Sequence, residues 1–251
     1  MKLVLIGAGN VATILGRKLK AAGHEIVQVV NHQAASARAL ATELGATAED
    51  FSARINSQAD LYIVAIKDGA LPELHQHLHL GTKTIVHTAG AVSKDVLKDI
   101  SPNYGVLYPL QSLRKEMQEE VAIPLLLDAS NYETMDLLEQ CAGSISSRIT
   151  RASDEERLKL HLAAVVVSNF TNHLYALADE FCLKEKVDFH LLQPLIEETA
   201  LRVAQHAPAD VQTGPAIRHD IVTLEKHLRM LERHKKLKYL YLKLTESIMG
   251  R

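Results

Sequence analysis

A glycine-rich turn near the N-terminus is the pattern with the most specific chemical meaning. Residues 7–12 (GAGNVA) follow a short apolar run and precede a segment with helical periodicity, which is the G-x-G-x-x-A arrangement of dinucleotide-binding turns. Gly7 would allow the tight turn, Gly9 would let the backbone approach a diphosphate, and Ala12 would let the helix pack closely on the sheet. Because the N–H groups at the helix start would face the phosphates, we predict a nucleotide site that includes Gly7, Ala8, Gly9, Asn10 and Val11. The alternative is a turn that binds nothing.

The end of the second predicted strand, residues 25–30, indicates which nucleotide is bound. An NAD enzyme usually places Asp or Glu here to accept from the ribose 2′-hydroxyl, whereas this sequence has Asn31 and His32. A carboxylate would repel a 2′-phosphate, but Asn31, His32 and Ser36 can donate hydrogen bonds to one. Arg38, one turn into the next helix, would be within reach. We therefore predict NADP(H) as the cofactor; the alternative is that Asn31 only ends the strand and Arg38 is solvated.

Two further strand ends should border the same nucleotide. Residues 61–66 and 84–87 are short apolar runs typical of buried parallel strands. Because ligands lie outside the carboxyl ends of parallel strands, we expect Ile66, Lys67 and Thr88 to line the cofactor site.

A polar stripe in the second half of the chain could form the wall of an active site. Arg157, His161, Ser168 and Asn172 are spaced by 4, 7 and 4 residues and would share one helix face, with Asn169 on the neighbouring stripe. Polar groups on a mostly apolar helix need partners. Either these residues face the nucleotide or they form a structural network between helices, and the sequence leaves both readings open.

The elements that must position these residues fall into two parts. Residues 1–150 alternate short apolar strands with helices, which indicates a mostly parallel sheet covered on both faces. From Ser153, which with Glu156 forms a capping box, the pattern is helical, with helices predicted over residues 155–183, 188–205 and 215–249. We predict an α/β Rossmann domain with a doubly wound, mostly parallel sheet (residues 1–150, NADP-binding). An all-α helical domain for substrate binding and dimerisation follows (residues 151–251).

Composition excludes several function classes. The 251 residues carry a net charge of −2, so we expect no nucleic-acid or membrane partner, and no apolar run reaches the roughly 18 residues of a membrane helix. Cys141 and Cys182 stand alone; they predict neither a disulfide framework nor a metal site, and they fit a cytoplasmic location.

Several segments resemble a known family. The chain resembles Rossmann-like proteins with a C-terminal helical domain of unknown function, and its first half is similar to pyrroline-5-carboxylate reductase and 6-phosphogluconate dehydrogenase-like proteins. The matching segments are GAGNVA with Asn31, ADLYIVAIKD (59–68), YPLQS (108–112), Arg157 with HLAAV (161–165), SNF (168–170), Asn172 with His173, QPL (193–195) and QTGPAIRHD (212–220). The resemblance implies an NADP-dependent oxidoreductase that pairs as a homodimer through its helical half.

The expected reaction is hydride transfer between NADP(H) and a small carbonyl or imine substrate. His161 is the predicted proton donor, Asn169 and Asn172 would orient the substrate, and Arg157 or Arg218 would bind a substrate carboxylate. Gln111, from the YPLQS segment, is a further predicted substrate contact. Related hydroxyacid dehydrogenases place a lysine on the long helix with asparagine four residues later, where this chain has His161 and Val165. Two alternatives are therefore a non-catalytic NADP(H)-binding sensor or partner-binding protein and a helical protein with a vestigial nucleotide domain.

Overall fold

A computed structural model describes residues 1–51, 55–116 and 122–250. It divides into two compact units, Met1–Val166 and Val167–Arg251. The last strand of the sheet ends at Arg151, whereas the first unit continues to Val166. The assignment of residues 1–150 and 151–251 to nucleotide and substrate domains stays a prediction.

The first unit is built on one eight-stranded sheet in the order β3-β2-β1-β4-β5-β6-β7-β8. Its pairings are parallel except for β6 with β7, so the predicted α/β fold class with a mostly parallel sheet is confirmed. The strands are β1 (Lys2–Ile6), β2 (Glu25–Val30), β3 (Thr47–Glu49), β4 (Leu61–Val64), β5 (Thr84–His87), β6 (Tyr104–Pro109), β7 (Leu125–Ala129) and β8 (Ile149–Arg151).

The two faces of the sheet bury separate apolar clusters. Successive side chains of a strand point to opposite faces: Leu3 and Leu5 of β1 pack in one cluster, while Val4 and Ile6 pack in the other. Both faces are covered, which explains why β1 and β4 are continuous apolar runs rather than alternating ones. The helices of this unit are α1 (Asn10–Ala21), α2 (Ala34–Leu44), α3 (Tyr132–Gly143) and α4 (Asp154–Ala164).

Two connections of the sheet are 3₁₀ turns, at Asp68–Gln76 and Lys94–Leu97. The first contains Pro72, which cannot donate the backbone bond that an α-helix requires. The capping box predicted for α4 is present, because the Ser153 side chain accepts from the Glu156 amide and the Glu156 side chain accepts from the Ser153 amide.

The second unit is helical, with α5 (Thr171–Glu185), α6 (Gln193–Gln205), α7 (Ile221–Met230) and α8 (Lys235–Met249). The single helix predicted over 155–183 is interrupted by a π-helical segment, Val165–Phe170. The shared face predicted for Arg157, His161, Ser168 and Asn172 relied on an uninterrupted 3.6-residue repeat, which this segment changes. Among the described helices, none is long and apolar enough to cross a membrane.

The prediction of one helix over residues 215–249 is wrong. The chain forms two helices with a 3₁₀ turn, Leu231–Arg233, between them. The first begins at Ile221 because Asp220 caps it, its Oδ1 accepting from the Thr223 amide at 3.1 Å. His219 has a positive φ of 53°, which ends any helix that starts at Pro215.

Candidate functional site

A groove at the carboxyl ends of β1 and β4 gathers most of the predicted nucleotide-binding residues. These two strands are neighbours in the sheet, although two other strands separate them along the chain, so the groove lies at the point where the strand order reverses. Its volume is about 670 Å³, within the range of small-molecule sites. Ten of the twelve predicted residues line it: Ala8, Gly9, Asn10, Val11, Asn31, His32, Ser36, Ile66, Lys67 and Thr88.

Gly7 is buried directly before the residues Ala8 and Gly9, which line this groove. Its φ of +116° is rarely open to residues with a Cβ, and an added Cβ would lie 2.1 Å from the carbonyl oxygen of Ala65. The Gly7 amide donates to the Val30 carbonyl at 2.7 Å, which links the turn to β2. Gly7 therefore brings the chain from β1 to α1 past the end of β4, and no other residue type fits there without moving the backbone.

The start of α1 fits a diphosphate. Gly9 is the N-cap residue of α1, and among the described residues no side chain caps the first turn. The backbone N–H groups of that turn therefore remain available to an anion. An added Cβ on Gly9 would project into open space, which is room that a diphosphate can use. The Asn10 side chain accepts from the Lys115 amide at 3.3 Å and thereby ties the segment after β6 to this end of the groove.

The end of β2 offers polar groups without a carboxylate. Asn31 donates to the Gln33 carbonyl at 3.2 Å, and Ser36 donates to the Gln33 side chain at 3.3 Å. The His32 ring lies against Phe51, with ring centroids 4.5 Å apart. Amide, hydroxyl and imidazole groups at this position suit a 2′-phosphate better than a free ribose hydroxyl. Arg38 is exposed on α2 and stands outside the set of side chains that line the groove.

A tyrosine–histidine pair lies beyond the other end of the groove. Thr88 and Ala89 line the groove, and the next residue, Gly90, contacts His161 and Tyr108 so closely that a Cβ would lie 2.6 Å from His161 Nδ1. The Tyr108 hydroxyl and His161 Nδ1 are 2.9 Å apart. Gly90 therefore makes the space in which β6 and α4 bring these two side chains together.

Arg157, one turn before His161, is buried rather than available at a surface. Its side chain is 1% exposed and pairs with Asp154 at 2.6 Å, and Nη2 also donates to the Val92 carbonyl. Nε and Nη1 are buried without a protein partner among the described residues. These contacts fasten α4 to the segment after β5. The predicted role of Arg157 in binding a substrate carboxylate stays a prediction.

His87, at the end of β5, is a buried neutral imidazole. The Ala89 amide donates to Nδ1 at 3.1 Å, so the ring proton is on Nε2, which donates to the Ser93 carbonyl at 3.2 Å. Burial, and after it the nearby Arg157 charge, lower the pKa of His87, the bond to Ser93 and the charge of Asp154 oppose the shift, and the resulting pKa is about 4.

The remaining predicted residues lie on exposed positions. Gln111 follows β6, and its side chain accepts from the Ser112 amide at 2.9 Å. Asn169 is exposed in the π-helical segment, Asn172 is exposed on α5, and Arg218 is exposed before α7. Their predicted roles toward a substrate stay predictions. Within the described part of the chain, no group of three or more His, Cys, Asp or Glu side chains is arranged to hold a metal ion.

The sequence reasoning missed Tyr108 as a partner of His161. Tyr108 and His161 are 53 residues apart in the sequence. A periodic pattern relates only residues within one helix or strand, so it could not pair them. The signals that did exist were the YPLQS segment and the glycine after Thr88 and Ala89. Asp68 was also missed; among the described residues that line the groove it is the one carboxylate.

The sequence matches two known families. Residues 2–90 match the family described as NADP oxidoreductase, coenzyme F420-dependent, and residues 123–248 match the domain of unknown function DUF2520. No curated protein matches the chain closely enough to count as a relative.

Solved structures support the same relationship. A Bacteroides fragilis protein, provisionally named an NADP oxidoreductase, is 41% identical over 100% of this chain and 98% of its own, with a TM-score of 0.92. A pyrroline-5-carboxylate reductase of Streptococcus pyogenes is 16% identical over 100% and 99%, with a TM-score of 0.63. The Aspergillus terreus reductive aminase, solved with NADPH and ethyl-5-oxohexanoate, is 16% identical over 98% and 92%, with a TM-score of 0.68. The last two show similarity of fold.

The resemblance to Rossmann-like proteins with a helical domain of unknown function is confirmed, whereas the likeness to 6-phosphogluconate dehydrogenases stays a prediction. The DUF2520 match spans half of the sequence, and the Bacteroides fragilis protein aligns with all of it. The chain therefore belongs to the family of proteins that carry the DUF2520 domain, here behind an N-terminal region of the NADP oxidoreductase family.

Proposed function

We propose that this protein is an NADP-dependent oxidoreductase that transfers hydride between NADP(H) and a carbonyl or imine carbon of a small molecule. The observation that carries the proposal is that Thr88, Ala89 and Gly90 are consecutive and connect the groove with the Tyr108–His161 pair. The first two residues line the nucleotide groove, and the third contacts His161 and Tyr108. The groove thus lies beside a tyrosine–histidine pair, two side chains of types that serve as general acids.

The first unit supplies the residues that would hold the cofactor. The α1 N-terminus with Gly9 would bind the diphosphate, and Asn31, His32 and Ser36 would donate to the 2′-phosphate. Ile66, Lys67 and Thr88 line the opposite part of the groove and would border the nicotinamide ribose. When bound, NADPH supplies the hydride from its nicotinamide ring. The names of the matching family and of the Bacteroides fragilis protein support NADP as this cofactor.

His161 would give the proton that balances the hydride. Its imidazole is half-buried, its Nδ1 lies 2.9 Å from the Tyr108 hydroxyl, and histidine is the side chain that most often acts as a general acid. Asn169 and Asn172 would orient the substrate, and Gln111 and Arg218 would bind its polar groups. Because the Arg157 guanidinium is engaged by Asp154 and Val92, we assign a carboxylate-binding role to Arg218 first.

We further propose that the protein is a homodimer that pairs through its helical unit. The helices after residue 166 expose many large apolar side chains, including Val167 at 72%, Leu183 at 79% and Leu191 at 78%. Exposed apolar surface on this scale marks an interaction surface, and a second copy of the same chain is the commonest partner.

The test begins with cofactor binding. Calorimetry should show NADPH bound at least about 10-fold more tightly than NADH, because hydrogen bonds to a charged phosphate contribute about 1.5–3 kcal/mol. Equal affinities would contradict the NADP assignment. Binding of neither dinucleotide would support the vestigial alternative and remove the proposal.

The second step measures turnover with a panel of cyclic imines, 2-oxo acids and coenzyme F420, which the name of the matching family includes. The His161→Ala variant should lose about 100-fold or more in kcat, the scale of general acid catalysis, and keep its NADPH affinity. The exposed His79 gives a matched control, and His79→Ala should leave both quantities unchanged. Tight NADPH binding with no turnover of any substrate would instead support the sensor alternative.

A further inference from the structure

The Tyr108–His161 pair has one buried and one accessible member. Tyr108, on β6, is 9% exposed, and His161, on α4, is half-buried. Their rings meet edge to face, with centroids 5.9 Å apart and an interplanar angle of 72°. Gly90 leaves this space free, since a Cβ there would lie 2.9 Å from Cζ of Tyr108. The backbone thus accommodates both rings in one arrangement.

The direction of the hydrogen bond follows from the burial of the phenol. Within the described part of the chain, the Tyr108 hydroxyl has one hydrogen-bond partner, Nδ1 of His161. If Nδ1 carried the ring proton, the phenolic hydrogen would have no acceptor among the described residues at a side chain that is 9% exposed, which is unfavourable. The phenol therefore donates, Nδ1 accepts, and the neutral imidazole carries its proton on Nε2.

We propose that Tyr108 is a positioning residue for the proton donor, which fixes His161 in the tautomer with its proton on Nε2. This inference rests on the function proposed above for His161. In a neutral imidazole, the hydrogen bond made by one ring nitrogen decides which nitrogen carries the proton. The Tyr108 hydroxyl makes that bond to His161.

The proton count of the step balances. As the substrate carbon receives the hydride and its C–H bond forms, the Nε2–H bond of His161 breaks and an O–H or N–H bond forms on the substrate. The phenolic proton of Tyr108 moves to Nδ1, so the imidazole stays neutral and the phenolate carries the charge. Water reprotonates the phenolate after the product leaves.

The surroundings of Tyr108 keep its hydroxyl protonated before the reaction. Burial raises the pKa of Tyr108 and the charge of Asp68 raises it further, whereas the Arg157 guanidinium lowers it. The hydroxyl therefore holds its proton at neutral pH and is available to donate to Nδ1, and the Arg157 charge partly opposes the shift. His87, which also lies near Arg157, is neutral and adds no charge.

The test compares Tyr108→Phe with Tyr104→Phe. Tyr104 lies on the same strand, but its hydroxyl donates to Asp95 at 3.0 Å. Nitrogen-15 spectra of histidine-labelled protein at mildly alkaline pH report the tautomer, and His161→Asn assigns the signal. Wild type and Tyr104→Phe should show the proton on Nε2. Tyr108→Phe should show a mixture of tautomers and a kcat lower by about 10–100-fold, with the KM for NADPH unchanged.

The outcomes separate this inference from the proposed function. If the wild-type spectrum shows His161 with its proton on Nδ1, the inference is wrong without any variant. It is also wrong if the tautomer of His161 is unchanged in Tyr108→Phe. If no substrate is turned over, the proposed function fails, while the spectra still decide the tautomer. If turnover is normal in Tyr108→Phe, the hydroxyl has no part in the reaction and the inference fails alone.

Discussion

The two units of the molecule bury their apolar residues to different extents. In the first unit, β1 from Leu3 to Ile6 and all of β4 are buried, and the strands are covered by two apolar clusters. In the second unit, every residue of α6 and α8 is at least partly exposed. The strands of the first unit are therefore buried within it, whereas the helical unit, like α4 at Leu158 and Leu162, leaves large apolar side chains exposed.

This difference indicates which unit carries the proposed nucleotide site and which carries the proposed dimer interface. The sheet unit contains a complete groove and the Tyr108–His161 pair within Met1–Val166. An amphipathic helix needs a surface against which to bury its apolar stripe, and the helical unit does not contain enough of that surface. This contrast supports the proposal that the first unit binds the nucleotide and that the second unit forms the proposed dimer interface.

The largest effect should come from charging the apolar surface of the helical unit. Leu195 and Leu201 of α6 are 60% and 63% exposed. Replacing both with Glu would bury unpaired charge at the proposed dimer interface, so we expect dissociation, with the dimer Kd raised about 100-fold or more. Sedimentation equilibrium measures this. Tyr132→Glu, at a 78% exposed position of the sheet unit, is the control and should sediment as wild type. Unchanged sedimentation of the double variant would contradict the proposed interface.

A pair of glycine substitutions should separate stability from binding in the sheet unit. In Gly7→Ala the new Cβ meets the Ala65 carbonyl at 2.1 Å with a positive φ, so we expect more than about 3 kcal/mol of destabilisation and loss of NADPH binding. In Gly9→Ala the Cβ enters open space, so stability should change little while NADPH binds about 10-fold or more weakly. Denaturant unfolding and calorimetry measure the two quantities. A Gly9→Ala variant with wild-type affinity would place the diphosphate elsewhere.

Local patterns made the sheet unit predictable from sequence. The glycine turn, the apolar strands and the capping box of Ser153 and Glu156 each depend on residues a few positions apart, and each is present in the structure. The strand β3 was not predicted, because its three residues, Thr47–Glu49, are partly or fully exposed and lack an apolar signal. The start of α7 was misplaced because Thr213 and Asp220 are both plausible caps, and only tertiary structure decides between them.

Contacts between distant segments made the candidate site harder to predict. Arg157 and His161 are one helical turn apart, which suggested one polar face, but Arg157 is buried by Asp154 and the Val92 carbonyl. The meeting of Tyr108 with His161 depends on the small size of Gly90, and these three residues come from three segments. Sequence patterns thus predicted most of the residues that line the groove and one member of the Tyr108–His161 pair.

The smallest expected effect is a pH dependence of stability that originates in the sheet unit. Because the pKa of His87 is about 4 in the folded protein and about 6.5 in an unfolded chain, the unfolded state binds more protons between these values. The contribution of His87 to stability should therefore be nearly constant above about pH 7 and fall as the pH decreases toward 4, by about 2 kcal/mol between pH 7 and pH 5.

Denaturant unfolding of His87→Gln at a series of pH values tests this origin. The glutamine amide can accept from the Ala89 amide and donate to the Ser93 carbonyl, as the imidazole does, but it does not titrate. The variant should lose most of the pH dependence in this window, whereas His79→Gln, at an exposed position, should keep it. If the stability of His87→Gln falls as steeply as that of wild type, the acid sensitivity arises outside the sheet core. The histidines of the helical unit, most of whose surface is exposed, would then be the next residues to test.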